Sequence, residues 1–317
     1  MNNLLQKIKS LEKQILFSFF FGLLISIALA FWSDLQETTE TVLSFKLYFI
    51  PLALGLSLLN YVLRFLRFKH FLKATNLQVS SSNAFLIFFS GLSMTVTPGK
   101  VGELIKAYFL KKVGKNHFAS AVPIIVAERL TDGLASIILA SFGMMSFKHG
   151  LPVFLIGIAI CLAIIITLKN EALFLKILSL FWFSKKLIPG FKKFFTKAQV
   201  LVSFKNLSIG TLLGSLAWGA ECLGLTVVLV GLGVAFSSKV LLASFFIFCF
   251  ASLLGFLSFL PAGLGVTEGS LTGLLITLLG LSKTLAVSAT ILLRIFTLWF
   301  GVSLGIISLF VFLRKKL

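Results

Sequence analysis

The stretch TPGKVGELIKAYFL, residues 97–110, decides how this chain is organised, because it interrupts an apolar run before that run is long enough to cross a bilayer. Residues 84–97 are apolar for only fourteen positions before Pro98-Gly99, whereas a helix needs about 20 residues to span the hydrocarbon core. Further along, LPAGLGVTEGSLTGLL (260–275) repeats the pattern, with Pro261, Gly263, Gly265 and Glu268 standing where the first stretch has Pro98, Gly99, Gly102 and Glu103. Proline and glycine occur at membrane depth where irregular backbone is buried in protein or lines a cavity. Both regions, 84–110 and 240–281, therefore read as re-entrant helical hairpins. Their tips lie at Pro98, Gly99 and Gly102 and at Pro261, Gly263 and Gly265.

Outward from the hairpins, six apolar runs are long enough to cross: 15–32, 45–66, 119–146, 151–168, 207–230 and 284–313. The 317 residues are 58% hydrophobic and only 12% charged, with a mean hydropathy of +1.06. Soluble domains run near 45–50% apolar and about 25% charged, so a water-soluble enzyme is excluded. A net charge of +19 would suggest nucleic acid in a polar chain. Here the basic residues lie between apolar runs, and no nucleic-acid partner is expected. The fold class is an all-α polytopic membrane protein, with six spans plus two re-entrant hairpins in a single membrane domain over 1–317.

The positive-inside rule sets the orientation. With the N-terminus inside, nineteen Lys and Arg fall on cytoplasmic segments and four (Lys46, Lys148, Lys239, Lys283) on outer ones. That asymmetry holds only if 84–110 returns to the side it entered from. The expectation is a multi-pass protein of the plasma membrane with both termini cytoplasmic and the first span uncleaved, although Ala28-Leu29-Ala30 resembles a signal-peptidase site. Segment 169–205 mixes lysines with Phe and Leu, which suits either a helix on the anionic inner leaflet or an ordinary cytoplasmic loop. Cys161, Cys222 and Cys249 lack metal-ligand spacing, and there is no Walker-type nucleotide loop. No metal, no cofactor and no catalytic residue are assigned.

In this topology the first hairpin enters from the cytoplasm and the second from outside. An arginine follows each tip proline within the next span, Arg129 and Arg294, and a charged span precedes each hairpin (Arg64 and Arg67; Glu221). Repeats over about 45–146 and 207–313 with opposite orientation are the pattern of secondary transporters, whose site lies near the midplane between halves.

The buried charges carry the functional reading. Five of the ten acids, Glu103, Glu128, Asp132, Glu221 and Glu268, sit in or beside apolar segments, as do Arg64, Arg67, Arg129 and Arg294. Lysine outnumbers arginine 24 to 5, yet the spans hold arginine, which grips phosphate bidentately and cannot be neutralised. Each such group costs roughly 2.5–3.5 kcal/mol at the bilayer centre, so partners or a ligand are required. Arg64 and Arg67 either line a site or snorkel to the inner headgroups. Within ERLTD, Glu128 and Asp132 share a helical face and Arg129 stands i, i+3 from Asp132. Arg294 has no local partner and needs Glu221, Glu268 or a ligand. Lys100 and Lys106 either contact ligand or solvate the hairpin base. Glu103 and Glu268 either cap the short helices or contact ligand. Gly210/Gly214 and Gly301/Gly305 read as close helix packing, and His117 and His149 as structural. Each hairpin helix would start at membrane depth with unpaired N–H groups, an anion site suited to a lipid phosphate or pyrophosphate.

TPGKVGELIKAYFL, then AERLTD, then FLPAGLGVTEGSL resemble, in that order, the flippase-like membrane family. It includes the transmembrane region of lysylphosphatidylglycerol synthase and the membrane part of an archaeal glycosyltransferase. The resemblance spans roughly 15–313. It implies movement of an anionic or aminoacylated lipid, or a lipid-linked sugar head group, between leaflets. By position it marks Pro98, Gly99, Gly102, Glu103, Glu128, Arg129, Asp132, Pro261, Gly263, Gly265 and Glu268. Ala262 stands where glycine is commoner in the family. The chain continues only to Arg314-Lys315-Lys316-Leu317, so no lysyl transfer is expected of it. Two other readings stay open: a membrane-embedded transferase using Glu103, Asp132 or Glu268 as base, and a non-catalytic partner subunit of a separate lipid- or glycan-modifying enzyme. The expected partners are membrane lipids and that enzyme.

Overall fold

A computed structural model describes residues 2–97, 102–114, 117–144, 151–179 and 184–316. Among them every regular element is helical. Pro98, Gly99 and Lys100 of the first tip, and His149, lie outside the described residues.

Helix α1 (Asn2–Ser33) turns through 109° into α2 (Leu35–Leu43). The turn is set by Asp34, whose carboxylate accepts the Glu37 N–H at 2.9 Å and so starts the new helix. Then come α3 (Ile50–Ala74), α4 (Ser81–Leu92), α5 (Ile105–Gly114) and α6 (Phe118–Met144). Helix α7 (Leu151–Lys169) bends by 111° into α8 (Glu171–Ser179), followed by α9 (Ser184–Leu201). The rest is α10 (Phe204–Gly231), α11 (Ser238–Leu257), α12 (Val266–Leu279), α13 (Lys283–Arg294), a five-residue π segment at Ile295–Trp299, and α14 (Phe300–Lys316).

Five helices are long and apolar enough to cross a membrane, or up to seven if each bent pair is one span. This is a multi-pass helical membrane protein. Runs 45–66, 207–230 and 284–313 reappear as such helices, and 15–32 and 151–168 as the first limbs of the bent pairs. Run 119–146 is helical as α6 but is not one of the five, whereas Ser238–Leu257 and Pro261–Leu279, expected to form a re-entrant hairpin, both are. The hairpins are unequal. In the first, α4 has 12 residues, about 18 Å of helix. In the second, α11 has 20, about 30 Å, enough to cross. The reason is positional: the break at Pro261–Gly263 comes after the apolar run has reached full length.

Serine caps start the first limb of both hairpins. Ser80 accepts from Asn83 N–H and Ser237 from Val240 N–H. Packing is also parallel between the two parts of the chain. Helix α3 lies against α10, α4 against α14, and α6 against α11. In lipid, helices associate through close packing rather than hydrophobic drive, and the glycines supply it. A Cβ on Gly210 would stand 2.7 Å from the Phe71 ring, and one on Gly301 2.6 Å from the Tyr61 hydroxyl. One on Gly305 would collide with the backbone of Ser93. The close-packing reading of these glycines holds. Outward faces are apolar, with Phe20 and Leu24 on α1, Leu212 on α10 and Ile307 on α14 all exposed.

Segment 169–205 is mostly helical where described, and one apolar side of α9 is turned to the protein. Phe195, Ala198 and Leu201 are buried, and α9 packs on α6. Lys197 Nζ donates to the Thr75 carbonyl at 2.7 Å, satisfying a group just past the end of α3. The described part of the segment is thus largely helix rather than irregular loop.

Candidate functional site

Helix α3 runs on to Ala74, so Arg64 and Arg67 lie roughly two to three turns before its end. Arg67 is 0% exposed, which overturns the snorkelling reading for it. Its Nη2 lies 2.7 Å from Asp132 Oδ1 and its Nη1 donates to Thr131 Oγ1 at 3.0 Å. Room for the guanidinium exists because α10 has glycine opposite: a Cβ on Gly214 would be 2.9 Å from Arg67 Nη1.

Asp132 is the hub of this network. It is also 3.2 Å from Arg129 and 3.9 Å from Arg64, and accepts the Trp218 indole N–H at 3.0 Å. Arg129 is 3.2 Å from Glu103. Glu103 is in turn 3.3 Å from Lys106, which donates to Glu128 at 2.6 Å. The intrahelical Arg129–Asp132 pair expected from ERLTD is present, but it is one link of a chain joining α3, α5, α6 and α10. Lys106 is buried and also sits 5.7 Å over the rings of Phe68 and Phe88. It does not solvate a hairpin base. A Cβ on Gly91 would meet the Lys106 stem at 2.8 Å, so that glycine makes room for the lysine.

The second hairpin builds a separate pair. Arg294 Nε is 2.6 Å from Glu268 Oε1, and Arg294 Nη2 donates to the Ala262 carbonyl at 3.2 Å. Glu268 Oε2 accepts the Gly265 N–H at 2.7 Å. Glu268 therefore both caps α12 and neutralises Arg294, and the first N–H group of the expected anion site is taken by the protein's own carboxylate. The tip backbone is left-handed at Phe259 (φ 54°), Ala262 (52°), Gly263 (66°) and Gly265 (86°). A Cβ resists that conformation, which explains why glycine suits the position of Ala262. In the first hairpin, Gly102 N–H donates to Thr97 Oγ1 at 2.8 Å, and a Cβ on Gly102 would lie 2.6 Å from the same oxygen.

Between the two charge groups lies a cavity of about 120 Å³, lined by Arg64, Glu221 and Arg294 together with Tyr61, Trp218 and Thr267. Glu221 is 6% exposed and Oε2 has no hydrogen-bond partner. Among the described residues it forms no ion pair. The site residues thus separate into three groups. Arg67, Glu103, Glu128 and Asp132 are bound up in the network. Arg129, Arg64 and Arg294 are paired but partly accessible, and Glu221 faces the cavity unpaired. Gly263 also lines the cavity, whereas Pro261 and Gly265 shape the turn.

Several lining residues were not marked in the sequence. Asn60 and Tyr61 lie one turn before the marked Arg64 on α3, and Asn60 donates to the Ala217 carbonyl at 2.9 Å. Trp218 and Glu221 stand i, i+3 on α10. A scan of the spans for polar residues sharing a face with a charge would have found Asn60 and Trp218. The π segment beginning at Ile295, directly after Arg294, had no signal of that kind. Such segments are frequent at functional sites.

Relatives support the assignment of the chain to a membrane family. A UPF0104 membrane protein of Pyrococcus horikoshii is 24% identical over 90% of this chain and 93% of its own length. A UPF0104 membrane protein of Methanothermobacter thermautotrophicus is 21% identical over 82% of this chain and 84% of its own. A shorter match with a protein of that description from the same organism is 34% identical over 39% of this chain and 36% of the relative. The sequence model described as "Lysylphosphatidylglycerol synthase TM region" matches residues 19–305, and the chain belongs to that family.

Proposed function

We propose that this protein moves an anionic or aminoacylated lipid, or a lipid-linked sugar, between leaflets of the plasma membrane, with both termini cytoplasmic. The observation that carries the reading is the cavity holding Arg64, Arg294 and Glu221, the last without an ion pair, while the other charges buried around it among the described residues each form one. A buried charge without a partner is expensive, and a ligand with one anionic and one cationic part answers both kinds of wall. The arginines take the phosphate, and Glu221 takes the cationic part.

The packing of α3 on α10, α4 on α14 and α6 on α11 supports an internal repeat, since exchanging the two halves leaves these three pairings unchanged, while the packing of α6 on α10 has no equal counterpart. With opposite orientation of the halves, closing one hairpin while opening the other gives alternate access to one central site. In this reading the network around Asp132 is the stiff part, and the Arg294–Glu268 pair on the second hairpin is the part that moves.

The test is transbilayer movement in proteoliposomes, followed separately for labelled phosphatidylglycerol, lysyl-phosphatidylglycerol and a lipid-linked sugar phosphate. Movement of at least one should exceed that in protein-free vesicles and be lost in Arg64→Gln. Rates equal to protein-free vesicles for all three, or an Arg64→Gln protein as active as the unaltered one, would sink the proposal.

A further inference from the structure

A second cavity of about 270 Å³ lies beside the central one, floored by α6 and walled by α7 and α11. Its chemistry changes along its length. Most of the wall is hydrocarbon, with Ile125 and Ile137 from α6, Ile160 from α7 and Leu253 and Leu257 from α11. One part is charged, where Arg129 and Asp132 reach into it. Ile156, Ile160 and Leu257 are exposed on the outer surface, so the apolar part meets the surrounding lipid. Trp218, Ser252 and Phe256 line this groove and the central cavity alike, so the two are neighbours across a thin partition.

An apolar groove with an arginine at one end selects an amphiphile. A peptide helix from another chain has nothing to place on Arg129, and a soluble anion has nothing to place on the isoleucines and leucines. An acyl lipid with a phosphate head matches both. Its phosphate would compete for Arg129, which is 17% exposed and shared between Glu103 and Asp132 at 3.2 Å each. The hydrocarbon tail would replace contacts with bulk lipid by contacts with a fixed wall, so the charged end supplies the selectivity. We infer that the α6/α7/α11 groove is the acyl-chain site through which an anionic lipid engages the protein sideways, its head group beside Arg129 and Trp218 at the entrance to the central cavity. The inference rests on the proposed lipid substrate and adds where the tail lies and which helices part to admit it.

The experiment uses the full chain in nanodiscs with phosphatidylglycerol carrying a photoreactive diazirine near the end of one acyl chain, and diacylglycerol with the same tail as the control. Labelled peptides are mapped by mass spectrometry. Phosphatidylglycerol should label α6, α7 and α11 around Ile160 and Leu257 at least fivefold above the exposed faces holding Phe20 and Leu212, and diacylglycerol should not. Ile160→Trp and Leu257→Trp fill the groove from its lipid-facing rim, where a larger side chain leaves the core undisturbed, and each should cut that labelling at least threefold. Labelling spread evenly over all lipid-facing helices, labelling equal for the two lipids, or labelling unchanged by both tryptophans would overturn the inference. Selective groove labelling without transbilayer movement would uphold the groove and overturn the transport reading. Movement without selective labelling would do the reverse.

Discussion

Arg67→Met separates the charges that hold this protein together from those offered to a ligand. Arg67 is fully buried, 2.7 Å from Asp132 and 3.0 Å from Thr131. Methionine keeps much of the stem and removes both contacts. Removing one partner of a buried pair costs about 3–5 kcal/mol, because the other charge stays buried. Asp132 retains Arg129 at 3.2 Å and the Trp218 N–H at 3.0 Å, so the lower figure applies, about 3 kcal/mol. At about 1.4 kcal/mol per factor of ten, that is a shift of roughly a hundredfold in the folding equilibrium. The assay is reversible unfolding in mixed detergent micelles, read by tryptophan fluorescence. Combining the change with Asp132→Asn removes the stranded charge, and the two together should cost less than the sum of the singles by about 1–3 kcal/mol. A loss below about 1 kcal/mol for Arg67→Met, or strict additivity of the pair, would refute the view that Arg67–Asp132 is the structural centre of the network.

Glu221→Gln should behave oppositely, leaving stability nearly unchanged because no ion pair is broken, while transport of an aminoacylated lipid falls at least tenfold in the vesicle assay. Gly305→Leu should prevent α14 from seating on α4, since even a Cβ collides with the Ser93 backbone there, and should be seen as loss of folded protein in size-exclusion chromatography. Ala262→Gly should stabilise by about 0.5–1 kcal/mol in the same unfolding assay, because a left-handed φ of 52° carries a penalty of about 1–2 kcal/mol for a residue with a Cβ, partly offset by the greater freedom of unfolded glycine.

The legible part of the site is uneven in an instructive way. Glu103, Glu128, Arg129, Asp132, Glu268 and Arg294 stand out from the primary structure because each is an ion inside an apolar run. Arg294 needs a distant partner, and the sequence offers Glu221, Glu268 or a ligand. Only the fold shows that Glu268 takes it, leaving Glu221 without an ion pair among the described residues. The choice depends on the rotation and depth of α13 against α10 and α12, which no local spacing encodes. Arg64 and Arg67 looked equivalent, three residues apart on one helix. Gly214 and Thr131, from two other helices, bury the second completely, while the first reaches the cavity.

Helix content, membrane insertion, the break at Pro261 and the gathering of ions inside apolar segments all follow from the residues themselves. Hydropathy and backbone preference are properties of a short window, and insertion energy sums nearly residue by residue. The pairing of those ions, the partition formed by Trp218 and the division between central cavity and lateral groove were decided by tertiary structure alone. They arise where helices distant in sequence meet, and a shift of one helix by a single turn would exchange the partners it contributes without altering any local pattern.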